Sequence, residues 1–197
     1  MEPIQIDDEF KELLKEPWMA RHLHIALQHT SDRMLELMNR RNRYPEDRAL
    51  FEELAEAGYA LGTDFIVGHP GEGEAEWREA MERVEALPLT HLHAFTYSPR
   101  EGTASTGLGL PPVRGDVAKA RHRELTEIVR RKNLAFRQAH DRDLTVLVEQ
   151  GNDGIYRGYD QYYNRVRIAS EESLEHTWVY LSKVEVEAKE NHARFAL

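Results

Sequence analysis

The chain has 197 residues, enough for one ample domain or two small ones. Its formal net charge of −9 argues against a generally nucleic-acid-binding surface, and its 41% hydrophobic and 31% charged residues are those of an ordinary globular protein. No apolar run approaches the roughly 20 residues of a membrane span, and zero cysteines exclude disulfides, thiolate zinc sites and a protein-ligated iron–sulfur cluster in this chain.

Glu2, Asp7, Asp8 and Glu9 break any signal-peptide pattern, and a cytoplasmic location fits. Asp7 can N-cap a short helix carrying Phe10, Leu13 and Leu14, which stops before Pro17. Residues 22–27 (HLHIAL) alternate as a strand, with His22 and His24 on one face and Leu23 and Ile25 on the other. Ser31 and Asp32 cap the next helix, whose Met34, Leu35, Leu37 and Met38 have helical spacing. Pro45 opens a further helix, which Gly58 is placed to end.

Residues 61–71 (LGTDFIVGHPG) organise the chain. An apolar strand over Leu61–Val67 runs into a loop with Gly68, Pro70 and Gly71, and a helix follows from Glu74 to Leu87 with Trp77, Met81 and Val84 on one stripe. A third strand spans 89–97. Three strands alternating with helices indicate βαβ units and a parallel sheet, whose ligands gather outside the carboxyl ends of the strands. Without a Cβ, Gly68 and Gly71 would let backbone N–H groups approach a ligand closely.

Residues 98–115 form a long loop rich in Gly, Pro, Ser and Thr, and a long helix runs from Asp116 to about Ala139. Between Arg114 and Arg142 nine Lys/Arg face four Asp/Glu, a local basic excess that could mark a phosphate footprint or an ordinary solvated helix face. After Asp141 the pattern becomes strands joined by short turns: LTVLVEQ, GIYRGYDQYYNRVRI, TWVYLSKVEVEA and ARFAL. A domain boundary is expected near 142, with 1–141 as an α/β domain and 142–197 as a small all-β module.

Three motifs carry a family resemblance: LHIALQHTSDRMLELMNRR (23–41), GTDFIVGHPGE (62–72) and HLHAFTYSPREGT (91–103). In this order and spacing the chain resembles the radical-SAM tRNA methylthiotransferases, most closely the branch that modifies threonylcarbamoyl-adenosine beside the anticodon. The resemblance implies the second half of a partial TIM-type (radical SAM) barrel, followed by a TRAM-like RNA-binding β-barrel. It implies S-adenosylmethionine and 4Fe-4S clusters as cofactors and tRNA as partner. The family's cluster-binding CxxxCxxC loop cannot be present without cysteine, so the chain is expected to be a fragment, inactive alone, lacking the N-terminal half of its parent. LQHT at 27–30 and GHPGEG at 68–73 depart from the family's usual LQSG and GFPGET.

The resemblance places Gln28 and Ser31 near the ribose or methionine part of the cofactor, and Val67, Gly68 and Pro70 near its adenine. It puts Tyr97 to Arg100 on the other side, where Arg100 could pair with a carboxylate or phosphate. For Gln28 and Ser31 helix capping is the competing role. In the β-module Tyr156, Arg157, Tyr159, Tyr162, Tyr163, Arg165 and Arg167 interleave aromatic and basic groups, as RNA-binding surfaces do. The pairs His22/His24 and His91/His93 could contribute to a zinc site, but no carboxylate or third ligand has supporting spacing, so they are expected to line the barrel by hydrogen bonds and no metal site is assigned. A stand-alone RNA-binding or scaffold protein and a histidine–metal α/β hydrolase are the competing functions. The half-barrel's open strand edges also predict a homo-oligomer.

Overall fold

The computed structural model describes residues 1–100, 102 and 104–195. Glu101 and Thr103 of the long loop and the last two residues of the ARFAL strand lie outside the described residues. The chain forms two compact units, Met1–Met19 with Leu23–Arg130, and Ala20–His22 with Arg131–Leu197. The division falls inside the long helix rather than after it, because Asn133 and Arg137 in its last turns bond to the β-module.

The first unit contains α1 (Asp8–Leu13), β1 (His22–His24) from Leu23 onward, α2 (Asp32–Leu37), α3 (Tyr44–Glu56), β2 (Ala60–Val67), α4 (Glu74–Ala86) and β3 (Leu89–Thr96), and α5 (Gly115–Ala139) begins in it. Its sheet has the order β1-β2-β3, with β2 and β3 parallel. The strand expected over 22–27 is regular only to His24. Beyond it the Thr63 hydroxyl replaces part of the ladder, accepting from Leu27 N–H at 3.1 Å and donating to the Ile25 carbonyl at 2.8 Å. The chain rejoins β2 through a parallel bridge between Gln28 and Phe65.

Asp7 caps α1 as its side chain accepts from Phe10 N–H at 2.8 Å. Asp32 does not cap its own helix; it accepts from Tyr44 N–H at 2.8 Å and so closes the start of α3. Pro45 lies in the first turn of α3, and Gly58 follows that helix at φ 86°. Alternation along β2 turns Leu61, Thr63, Phe65 and Val67 toward the helices, where Phe51, Leu54, Trp77, Val84 and Leu125 complete a buried core. Asp64 and Ile66 point to the opposite, open face. Among the described residues no helix is long and apolar enough to cross a membrane.

The second unit adds β4 (Arg142–Asn152), β5 (Ile155–Asp160), β6 (Arg165–Ala169), β7 (Trp178–Lys183), β8 (Glu185–Val186) and β9 (Asn191–Arg194). They make one sheet, β7-β4-β5-β6-β9-β8, antiparallel except for β6 with β9. Leu144, Val146, Val148, Val166, Ile168, Val179 and Leu181 of this single sheet share one buried cluster, so the sheet curls over its own inner face. The run GIYRGYDQYYNRVRI divides into β5 and β6 because Asp160 Oδ1 accepts from both Tyr162 N–H and Asn164 N–H, tightening a turn. At the bulge in β4, Gly158 is required for close approach: a Cβ there would stand 2.1 Å from the Leu147 carbonyl oxygen.

Candidate cofactor cleft and nucleic-acid interface

The carboxyl ends of β2 and β3 open on a cavity of about 430 Å³, lined among others by Gly68, Pro70, Thr96, Tyr97, Val113 and Ala118. Three of the seven residues expected near the cofactor, Gly68, Pro70 and Tyr97, therefore meet there. Gln28 is half-buried at the end of the β1 extension, at φ 70°, and Arg100 is exposed just past β3. Val67 and Ser31 are both fully buried. Val67 faces the helical core, so it offers no surface to a ligand. The Ser31 hydroxyl is buried without a hydrogen-bond partner among the described residues, and it neither caps α2 nor lines the cleft.

The backbone at Gly68 is not free to hold a ligand. Its N–H donates to both carboxylate oxygens of Glu72, at 3.1 and 3.0 Å. Gly68 is needed for another reason: at φ 81° a Cβ would sit 2.9 Å from that of Ala118, so its absence lets α5 pack against the loop. Glu72 is itself fully buried and pairs with Arg121, whose Nη1 donates to Glu72 Oε1 at 2.8 Å and to the Glu72 carbonyl at 2.9 Å. The His29 Nδ1 accepts from Ser31 N–H at 3.0 Å, which leaves the ring proton on Nε2, 3.5 Å from Glu72 Oε2. Glu72 and Arg121 thus form a buried pair behind the cleft, with the His29 ring beside it, its Nε2 without a hydrogen bond among the described residues. Of the three residues only His29 stands where the sequence departs from the usual family pattern. The pair also removes Arg121 from the basic excess around α5.

His69 is buried behind the cleft wall, against the lining residues Pro70, Ser105 and Tyr97. Its Nδ1 is 2.8 Å from the Pro70 carbonyl and its Nε2 is 2.8 Å from the Ser105 hydroxyl. Burial holds its pKa below the usual histidine value. The neutral ring therefore donates through Nδ1 to the carbonyl and accepts from Ser105 through Nε2. An edge-to-face contact with Tyr97, centroids 4.9 Å apart, fixes both rings.

On the open face of the first sheet the register does what sequence spacing did not indicate. Asp64 pairs with His93 across β2 and β3, and His24 comes in from β1. His24 Nε2 is 2.9 Å and His93 Nδ1 is 3.4 Å from Asp64 Oδ1. The expectation that no carboxylate supports the histidine pairs is corrected: the carboxylate comes from the neighbouring strand.

In the β-module the strand pairing sorts the expected RNA-binding residues. Arg165, Tyr159, Leu147 and Trp178 stand opposite one another in one row across β6, β5, β4 and β7. Arg167 and Arg157 are paired in the next row on the same outer face. Trp178, Tyr180, Tyr163 and Leu147 are exposed there, and Tyr159 stacks on Tyr163 with centroids 4.6 Å apart. Two expectations are corrected. Tyr156 belongs to the buried core of the curled sheet. Tyr162 is partly buried against that core and packs edge-to-face on Phe136 and His140. Trp178 and Tyr180 were missed by sequence reasoning, although the alternation of TWVYL around buried Val179 and Leu181 marks them as outward.

Arg137 is likewise no part of a basic patch. It is buried, with Nη1 donating to the Glu187 carbonyl and to Asn191 Oδ1, each at 2.9 Å. Burial lowers its pKa and raises that of Asp160, which shares the same polar network through Asn133 and Asn164.

Residues 2–84 match the family model of the radical SAM superfamily. The E. coli radical-SAM enzyme coproporphyrinogen III oxidase (HemN) has the same fold over 82% of this chain and 45% of its own, with a TM-score of 0.56 at 14% identity. The α/β unit is therefore part of a radical-SAM barrel. A Helicobacter pylori (strain J99) protein, provisionally named a methylthiotransferase, is 45% identical over 99% of this chain and 47% of its own length. The Thermotoga maritima threonylcarbamoyladenosine tRNA methylthiotransferase MtaB is 28% identical over 80% of this chain and 37% of its own. The chain belongs to the radical-SAM methylthiotransferase family, and it spans less than half the length of these relatives.

Proposed function

We propose that this chain is part of a tRNA methylthiotransferase acting on N6-threonylcarbamoyladenosine beside the anticodon, and that its curled β-sheet is a TRAM-like module that binds the tRNA. The observation that carries this reading is the outer row Arg165–Tyr159–Leu147–Trp178, flanked by Arg157 and Arg167. Exposed rings offer stacking surfaces to unpaired bases, while the guanidinium groups pair with phosphates. The Tyr159 hydroxyl, bonded to Arg165, raises the pKa of that guanidinium and fixes it beside the ring.

Residues present fit a share of the S-adenosylmethionine site. Gly68, Pro70 and Tyr97 form a largely apolar wall of the cleft, whereas Gln28 and Arg100 are not part of its lining. When bound, the cofactor supplies radical chemistry; this chain contributes binding, orientation and exclusion of water. A 4Fe-4S cluster does not fit, because the chain has no cysteine. The chain alone is inactive in this reading, and the open sheet face with the edges of β1 and β3 is where the rest of the parent barrel, or a second copy, would pair.

The deciding experiment is tRNA binding by the whole chain. Arg165→Glu with Arg167→Glu should weaken it clearly, and added salt should weaken the wild type as counterion release requires. Replacing Glu171, outside the row, should leave it unchanged. Equal binding by wild type and the double variant would remove the reading. Supplied with S-adenosylmethionine and reductant, the chain should carry no iron and yield no 5′-deoxyadenosine.

A further inference from the structure

On the open face of the three-stranded sheet, Asp64 and His93 stand opposite one another in register and His24 reaches the same spot from β1, so that each strand supplies one residue of a cluster. We infer that this cluster binds a divalent transition-metal ion of the zinc type. The inference rests on the sheet alone and stands apart from the tRNA reading.

Two imidazoles and one carboxylate are a ligand set suited to zinc and to similar divalent ions. Geometry supports it. Ligand atoms about 2.0–2.1 Å from one ion lie roughly 2.9–3.4 Å from each other, depending on whether the arrangement is octahedral or tetrahedral. Asp64 Oδ1 already stands 2.9 Å from His24 Nε2 and 3.4 Å from His93 Nδ1, two edges of such a polyhedron. The two rings are 4.6 Å apart by centroid, tilted by 31°, and the three ligand atoms lie within 4.8 Å of one another. A small inward movement of one ring completes the third edge.

Placement favours the ion as well. The backbone of all three residues is held by the sheet, so the donors start from rigid positions. His24 and Asp64 are each 27% exposed and His93 is 63% exposed. An ion can thus enter from the open side and keep positions for water or an anionic ligand. Among the described residues this is the sole cluster of three or more His, Cys, Asp or Glu side chains with such spacing. The single carboxylate opposite a divalent ion leaves a net positive centre on an otherwise acidic protein.

Cobalt(II) alone serves as probe. Titrated into the 197-residue chain, it should bind at one ion per chain with visible d–d absorption, and zinc should displace it. Asp64→Asn, and His24→Ala combined with His93→Ala, should each lower the apparent affinity at least tenfold. His192→Gln removes an imidazole that lies between Glu187 and Glu190, and should change neither stoichiometry nor spectrum. Far-UV circular dichroism checks each variant; if one containing a half-buried substitution fails to fold, the exposed single change His93→Ala carries the comparison. Binding that survives in the folded variants, binding lost instead in His192→Gln, or no stoichiometric binding by the wild type, each overturns the site.

Discussion

Replacing Arg121 by alanine tests the buried pair behind the cleft. The Arg121 side chain is 7% exposed and that of Glu72 is fully buried, with a 2.8 Å contact between them. Without the guanidinium, the Glu72 carboxylate keeps the Gly68 N–H but has no cation beside it. Breaking one partner of such a pair costs about 3–5 kcal/mol. The Arg121 guanidinium also lies over the Trp77 ring, 5.4 Å from its centroid, so packing is lost as well. With a urea slope of about 2 kcal/mol/M, the unfolding midpoint of the first unit should fall by roughly 1.5–2.5 M. Urea unfolding followed by circular dichroism at a helix wavelength measures this, because α1 to α4 lie in that unit. Adding Glu72→Gln to Arg121→Met should recover at least half of the loss, since a neutral amide still accepts from Gly68 and leaves no buried charge. A loss below about 1 kcal/mol for Arg121→Ala, the level of an exposed ion pair, would refute the reasoning.

Asp47, buried in α3, has its pKa raised from 3.8 to about 6, chiefly by desolvation and against the hydrogen bond from Asn42. The folded state there holds a proton that the unfolded chain releases, so this site lowers stability as pH rises from 3.8 to about 6, and the cost is complete above that window. Asp47→Asn should therefore stabilise the chain at pH 7 and make little difference below pH 3.8, which thermal melts across that range would show. Trp178→Ala should weaken tRNA binding by about 1–3 kcal/mol, the worth of one stacked base, without changing the melting of the module; Tyr156→Ala should do the reverse. Gly68→Ala forces a non-glycine residue to φ 81° and a Cβ against Ala118, and should cost about 1–3 kcal/mol from backbone strain alone; a neutral effect in denaturant titration would contradict that account.

Much of the architecture was legible in the chain by itself, because it depends on local periodicity. The alternating runs around His22, Leu61 and Leu89, the stripe Trp77–Met81–Val84 and the change of pattern after Asp141 are each set by residues close in sequence. So is the opposition of Tyr156 to Arg157 and Tyr159, since neighbours on a strand face opposite ways. Which of those two faces becomes core was not local: Tyr156 is inside because its face meets Val166, Ile168 and Val148 when the sheet curls. Helix capping followed the same division. Asp7 serves its own helix, whereas Asp32 caps a helix that begins twelve residues later, through a fold of the chain that no short window contains. The same limit hid the carboxylate between the histidines and the charge partner of Glu72. Asp64 meets His24 and His93, 40 and 29 residues away in sequence, only through strand register. Arg121 reaches Glu72 across 49 residues when α5 packs on the Gly68 loop. Side-chain period is a property of the covalent chain; register and helix docking are decided by which apolar faces bury together, and that belongs to the tertiary structure.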